Sequence, residues 1–154
     1  MLKKVAVVGL GNTLRRDDGI GILILESLLT LFKQEGVDYL NFGIASFDLV
    51  HRMQEYDIIL LIDGIDAGLK AAELKIFELK DIFYTLRSAP TSTHEFDLKS
   101  LFELYKRFEL KSKIYVAGIQ VQDTSLGEGV SEPLQKRKEE IVKEIADFID
   151  KVLD

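Results

Sequence analysis

Short apolar runs alternate along the chain with longer segments whose apolar residues recur at helical spacing. The short runs are typical of buried strands, and they cover residues 5–8, 37–42, 58–62, 74–79 and 114–118. The helical pattern covers residues 20–31, 46–56, 97–108 and 132–153. Strands that alternate with helices predict an α/β fold, a single domain over residues 1–154 in which a mostly parallel sheet is sandwiched between helices. The strand at 74–79 is expected to be antiparallel or to lie at an edge.

The composition narrows the possible classes of function. With 154 residues, of which 47% are hydrophobic, the chain is long enough to form one domain with a core. A net charge of −6 disfavours nucleic acid and anionic membranes as partners. Because cysteine is absent, a thiolate metal site, a disulfide framework and a cysteine nucleophile are excluded. No apolar run reaches the ~20 residues of a membrane span and no signal peptide is evident, so we expect a cytoplasmic protein.

Polar side chains cluster after the predicted strands. Asp17 and Asp18 lie between the first strand and the first helix, Asp63 and Asp66 follow the third strand, and a Thr-Ser-Thr-His segment ends at His94. Because parallel strands end at the same edge of a sheet, we expect these side chains to lie close together. Two or more carboxylates with one imidazole suit a divalent transition metal such as nickel, zinc or iron.

Simpler interpretations exist for several of these residues. Gly9 and Gly11 begin like a dinucleotide-binding turn, but Leu14 stands where the third glycine is required and no phosphate-loop lysine follows. One aspartate of the adjacent pair could cap the helix that follows. His94 could be a structural loop histidine, and His51, which lies within a predicted helix, receives no role.

Four segments resemble motifs of the hydrogenase maturation endopeptidases. Residues 9–21, Gly-Leu-Gly-Asn-Thr-Leu-Arg-Arg-Asp-Asp-Gly-Ile-Gly, are similar to the opening signature of that family and are long enough to be specific. Residues 62–68, Ile-Asp-Gly-Ile-Asp-Ala-Gly, resemble its second motif, residues 91–94 its third, and residues 118–120 its fourth. Their order and spacing match the family over nearly the whole chain.

The resemblance implies a fold and an activity. The fold is a parallel-rich sheet between helices, of the phosphorylase/hydrolase-like kind. The activity is that of an endopeptidase that removes a short C-terminal extension from the nickel-loaded large-subunit precursor of a [NiFe] hydrogenase. The metal-contact positions of the family fall on Asp18, Asp63 and His94, which would also form the catalytic set, with Asp17 as a possible base. Nickel would arrive with the substrate, so no permanently bound cofactor is expected.

The chain departs from the family pattern beside these positions. Leu69 follows Gly68 where a Pro-Gly pair is usual, and Val121 stands where proline usually follows the glutamine. These departures put the choice of substrate in doubt more than the activity. The alternative function is a non-proteolytic metal- or precursor-binding module on the same fold. The mechanism is also open. Nickel could polarise the scissile carbonyl for attack by water, with Asp17 or Asp18 as base, or could only position the tail.

Overall fold

A computed structural model of the chain describes residues 3–43, 47–82 and 98–154. Within these ranges one sheet contains β1 (Val5–Leu10), β2 (Val37–Gly43), β3 (Ile58–Ile65), β4 (Leu74–Glu78) and β5 (Lys113–Gln120). The helices in the same ranges are α1 (Ile20–Leu31), α2 (Phe47–Met53), α3 (Leu98–Arg107) and α4 (Glu132–Leu153). Short 3-10 turns occupy Arg16–Gly19 and Leu79–Asp81. None of the helices in the described ranges has the combined length and apolar character that crossing a membrane requires.

The strands of the sheet follow the order β2–β1–β3–β5–β4. β1 pairs in parallel with β2 and β3, β3 pairs in parallel with β5, and β4 runs antiparallel to β5 at the edge. The predicted mostly parallel sheet and its antiparallel edge strand are therefore confirmed. The carboxyl ends of the parallel strands share one edge, which is where open α/β sheets bind their ligands.

Helices cover both faces of the sheet. Successive residues of β3 alternate between the faces, so Ile59 and Leu61 pack with α2 and α3, whereas Leu60 and Ile62 pack with α1 and α4. All 8 residues of β3 are buried. This two-sided burial explains why residues 58–62 of the strand are a continuous apolar run and do not alternate between apolar and polar residues.

One predicted strand end is wrong in a way that matters for the site. The sequence predicts that the third strand ends before Asp63, because an Asp-Gly pair is typical of a turn. In the structure β3 continues to Ile65, since its ladder with β5 extends through the pairs Asp63–Gly118 and Ile65–Gln120. Asp63 is therefore a strand residue.

The helix boundaries agree more closely with the sequence pattern. α4 has the predicted bounds, and α3 lies within the predicted range 97–108. α2 ends at Met53 and does not reach Tyr56, because the N–H groups of Glu55 and Tyr56 bond to carbonyls three residues back and tighten the last turn.

The first turn of α1 lies unusually close to the strand ends. A β-carbon on Gly21 would lie 2.2 Å from the carbonyl oxygen of Ile62 and 2.3 Å from that of Leu10. Gly11 has a φ of +135°, and a β-carbon there would lie 2.0 Å from the carbonyl oxygen of Asp18. Only glycine permits these approaches, so the packing of the turn and helix on the sheet explains the glycine spacing in residues 9–21.

Replacing Gly21 with alanine tests this packing. In most helices the change is stabilising, but here the clash with two backbone oxygens should lower the free energy of unfolding by about 3 kcal/mol. Gly36→Ala is the control, because Gly36 has a φ of +82° and open space around it, which gives a conformational cost of about 1 kcal/mol. Urea denaturation measures both, and an equal loss in the two variants would contradict the packing argument.

The loop after β5 is held by one buried carboxylate, that of Asp17. Its Oδ2 accepts hydrogen bonds from the N–H groups of Gln122 (2.8 Å) and Asp123 (2.9 Å) and from the Ser131 hydroxyl (2.7 Å). Its Oδ1 accepts the Ser131 N–H at 2.6 Å. Because Ser131 is the residue before α4, Asp17 connects the turn that it lies in, the loop after β5 and the start of the last helix.

Asp17→Asn should destabilise the fold. An amide has one acceptor oxygen, so at least one of the buried donors around it would face an NH2 group, at a cost of about 3 kcal/mol. Asp147→Asn, an exposed change on α4, should stay within about 0.5 kcal/mol of the wild type. Urea denaturation at neutral pH compares the two. Wild-type stability in Asp17→Asn would show that the carboxylate does not hold the loop.

Candidate active site

Asp17 and Asp18 lie in the 3-10 turn Arg16–Gly19, between β1 and α1 as predicted. Both are buried, and 2% of Asp18 is exposed. The backbone N–H of Asn12 donates to Asp18 Oδ2 at 3.0 Å, so the bend after Gly11 positions this carboxylate. Neither aspartate caps α1, whose N-cap is Gly19 without a side-chain hydrogen bond, and the capping interpretation is therefore wrong.

Asp63 lies beside this acidic turn, at the carboxyl edge of the sheet, and 1% of it is exposed. The residues on either side of Asp63 lie against the acidic turn or against the start of α1, which follows it. The carbonyl oxygen of Ile62 is one of the atoms that leave no room for a side chain at Gly21. On the other side, a β-carbon on Gly64 would lie 3.1 Å from the carbonyl oxygen of Asp17. Two of the sequence-predicted segments therefore meet at this edge.

His94, the third predicted ligand, lies outside the described residues, together with the rest of the segment 91–94. Across residues 3–43, 47–82 and 98–154, no group of three His, Asp or Glu side chains is arranged to hold a metal ion. A three-ligand site at this edge therefore requires a further residue, and the assignment of His94 stays a prediction. His51 is exposed on α2, the helix in which the sequence pattern places it.

The surroundings of Asp17 differ from those expected of a general base. An ionised carboxylate offers about four acceptor positions, and Asp17 accepts four hydrogen bonds from the loop after β5 and from Ser131. To take a proton from water it would have to give up one of these bonds. These hydrogen bonds favour a role for Asp17 in positioning the turn. Its role as a general base stays a prediction, and the same bonds argue against it.

Gln120 is a positioning residue to which the sequence analysis gave no role. It is buried at the end of β5, and its Oε1 accepts the N–H groups of Ala67 (2.9 Å) and Leu69 (3.2 Å). Its Nε2 donates to Asp66 Oδ1 (3.1 Å) and to the Val121 carbonyl (2.9 Å). Gln120 thus fixes the loop that follows Asp63. The sequence offered one signal for this residue: an apolar strand pattern that is typical of burial ends in the amide side chain of Gln120.

A second carboxylate orders the loop after β5 from its solvent side. Asp123 Oδ1 accepts the Ser125 hydroxyl at 2.6 Å and the Ser125 N–H at 2.9 Å. These hydrogen bonds, the hydroxyl foremost, hold the pKa of Asp123 below its ordinary value, and Arg16 at 3.8 Å contributes in the same direction. The carboxylate is therefore ionised at neutral pH and keeps the loop folded beside the acidic turn.

Comparison with known proteins agrees with this architecture. A family model described as hydrogenase maturation protease, HycI, matches residues 22–148. The hydrogenase expression/formation protein HoxM of Azotobacter vinelandii is 23% identical over a 153-residue alignment that covers 94% of this chain and 72% of that protein. The [NiFe] hydrogenase maturation protease HycI of Thermococcus kodakarensis KOD1 superposes with a TM-score of 0.75 at 30% identity, over 96% of this chain and 93% of that one.

The fold is also that of HybD, the hydrogenase maturating endopeptidase of Escherichia coli. The TM-score is 0.81 at 21% identity, over 97% of this chain and 93% of that one. The family match spans most of the sequence, and the structures agree over nearly its whole length. The chain belongs to the hydrogenase maturation protease family.

Proposed function

We propose that this protein removes a short C-terminal extension from the nickel-loaded large-subunit precursor of a [NiFe] hydrogenase. The supporting observation is the placement of Asp18 and Asp63, two buried carboxylates from different segments, at one edge of the sheet in a member of this family. With His94 they form the proposed set that contacts the substrate's nickel ion. The proposal includes the cytoplasmic location expected from the sequence.

The two carboxylates are held by different means, and both are suited to meet a metal ion. Asp18 is positioned by the Asn12 N–H and by the turn that Asp17 anchors. Asp63 is positioned by the ladder between β3 and β5. Carboxylate oxygens and an imidazole nitrogen are suitable donors for a divalent transition metal. A set of two carboxylates and one imidazole leaves coordination positions open for the ligands that the precursor already supplies.

Burial of these carboxylates gives a reason for selecting the loaded precursor. Because 2% of Asp18 and 1% of Asp63 are exposed, an ion carried by the precursor reaches them only if the protein opens around them. Opening is costly, and a divalent cation offsets that cost by interacting with both negative charges. A precursor without nickel provides no such gain. Selectivity therefore rests on the difference in affinity between loaded and unloaded precursor.

Two mechanisms for the cleavage step are compatible with this arrangement. In the first, the substrate's nickel polarises the scissile carbonyl and water attacks it, with a carboxylate as base. The hydrogen bonds around Asp17 favour Asp18 for that role. In the second, nickel only positions the tail. The two differ in whether replacing Asp18 lowers kcat or only raises KM.

Cleavage of the cognate large-subunit precursor, with and without nickel, tests the proposal. Mass spectrometry should show loss of a C-terminal peptide from the loaded form only. Asp18→Asn, Asp63→Asn and His94→Ala should each lower kcat/KM by at least about a hundredfold, because each removes either a negative charge or the imidazole from the set proposed to contact the ion. Asp18→Asn should still fold, since an amide oxygen can accept the Asn12 N–H.

Control variants with the same kinds of substitution at exposed positions distinguish loss of the site from misfolding. His51→Ala on the exposed face of α2 and Asp147→Asn on α4 should retain wild-type activity. Circular dichroism checks the fold of every variant. Full activity in His94→Ala, or its failure to fold, would show that the ligand assignment is wrong. Binding of the loaded precursor without any cleavage would favour the non-proteolytic module.

The isolated protein should bind nickel only weakly. Three protein ligands leave the coordination shell incomplete, and two of them are buried before the precursor binds. Isothermal titration calorimetry of the wild type, with Asp18→Asn as the comparison, measures this affinity. Nickel that remains stoichiometrically bound after dialysis against a chelator would contradict the idea that nickel arrives with the substrate.

A further inference from the structure

Two of the most exposed large apolar side chains of the described residues lie beside the candidate site. Leu126, in the loop after β5, is 78% exposed, and Leu14, just before the acidic turn, is 61% exposed. The N–H of the peptide group after Leu126 donates to the carbonyl of Leu14 at 2.9 Å. The two leucines are therefore attached to peptide groups that are hydrogen-bonded to each other, although they are far apart in the sequence.

Several further bonds make the backbone under these leucines a single ordered unit, which we call the two-loop platform (residues 12–16 and 122–129). The Arg16 N–H donates to the Gly127 carbonyl at 3.1 Å, and Arg15 Nε donates to the Thr124 carbonyl at 3.2 Å. The Arg16 guanidinium donates to the Glu128 carbonyl at 3.3 Å. The Asp17 carboxylate holds the platform by accepting the N–H groups of Gln122 and Asp123.

Exposed apolar side chains that share an ordered backbone indicate a binding surface, whereas scattered ones do not. Single exposed leucines are common and require no explanation. Here two are presented together, on backbone that is already fixed, so little conformational entropy is lost when a partner covers them. The platform also joins the turn that carries Asp18 without any intervening segment. A partner that covers this surface therefore lies next to the segment that carries Asp18.

The charges of the platform indicate what kind of partner it fits. The protein has a net charge of −6, whereas the platform combines two arginines, Arg15 and Arg16, with two carboxylates, Asp123 and Glu128. Arg16 lies near the Asp123 carboxylate, whereas Arg15 donates to a neutral backbone carbonyl. A polypeptide segment with apolar side chains and a nearby carboxylate would complement both the leucines and Arg15.

We propose that the two-loop platform is the docking surface for the precursor polypeptide, which contacts Leu14 and Leu126 before its metal-bearing part reaches Asp18 and Asp63. This inference rests on the proposed function. It assigns substrate affinity to residues that take no part in the chemistry. The leucines contact the polypeptide in the ground state and in the transition state alike, so they contribute to KM and not to kcat.

The test is a double variant, Leu14→Ser with Leu126→Ser, assayed on the nickel-loaded precursor. We expect KM, and the Kd for precursor measured separately by calorimetry, to rise about tenfold, which corresponds to about 1.4 kcal/mol. The value of kcat should stay within about twofold of the wild type. Thermal stability should be unchanged, because both side chains are exposed. The control is Leu31→Ser, 67% exposed at the far end of α1, which should leave KM and Kd unchanged.

The outcomes distinguish this inference from the proposed function. A double variant that cleaves with wild-type KM and binds with wild-type Kd would overturn the docking surface and leave the peptidase proposal intact. A wild type that never cleaves the loaded precursor would contradict the peptidase proposal, and the Kd comparison would still test docking. If sedimentation shows that the double variant changes self-association while Kd for precursor is unchanged, the surface joins two copies of this chain and the inference is wrong.

Discussion

The buried carboxylate of Asp17 is the interaction on which the site depends. A charged group inside a protein is stable only when hydrogen bonds replace the water that it has lost, and Asp17 accepts four. Those donors lie 105 to 114 residues further along the chain, in the loop after β5 and at the start of α4. The turn that carries Asp18 and the platform that carries the two exposed leucines are attached to this one group. The position of the candidate site is therefore set by this long-range contact together with the local bond from the Asn12 N–H to Asp18 Oδ2.

Much of the fold could be predicted because burial imposes a repeating pattern on the sequence. β3 is covered on both faces, and its residues 58–62 are a continuous apolar run. α4 is covered on one face and carries apolar residues at helical spacing, with Pro133 in its first turn. The end of β3 could not be predicted, since the turn preference of Asp63-Gly64 is local and the ladder with β5 that overrides it is not. The ladder even continues beyond Gln120, because the Val121 N–H donates to the Ile65 carbonyl at 3.0 Å. Proline, which is usual at this position in the resembled family, has no N–H to make that bond.

The site was predictable in location but not in the roles of its members. The order and direction of the parallel strands bring the acidic segments to one edge, and the structure confirms that Asp63 lies beside the turn that holds Asp17 and Asp18. In the sequence these two aspartates are equivalent neighbours, and only the donors around Asp17 separate a positioning carboxylate from a candidate ligand. Gln120 was missed for the same reason, because three of its four hydrogen bonds join it to the loop after Asp63, 51 to 54 residues away in the sequence.

At this edge the usual arrangement of side chains is inverted, since the carboxylates are buried and the leucines face solvent. Such an arrangement suits a substrate that is itself a protein carrying a metal ion. Contact with Leu14 and Leu126 would provide affinity for the polypeptide whether or not the ion is present. Asp18 and Asp63 would then provide the difference between loaded and unloaded precursor, because only the ion offsets the cost of opening the site. Affinity and selectivity would thus belong to separate groups of residues, and an unloaded precursor would occupy the platform without gaining access to the carboxylates.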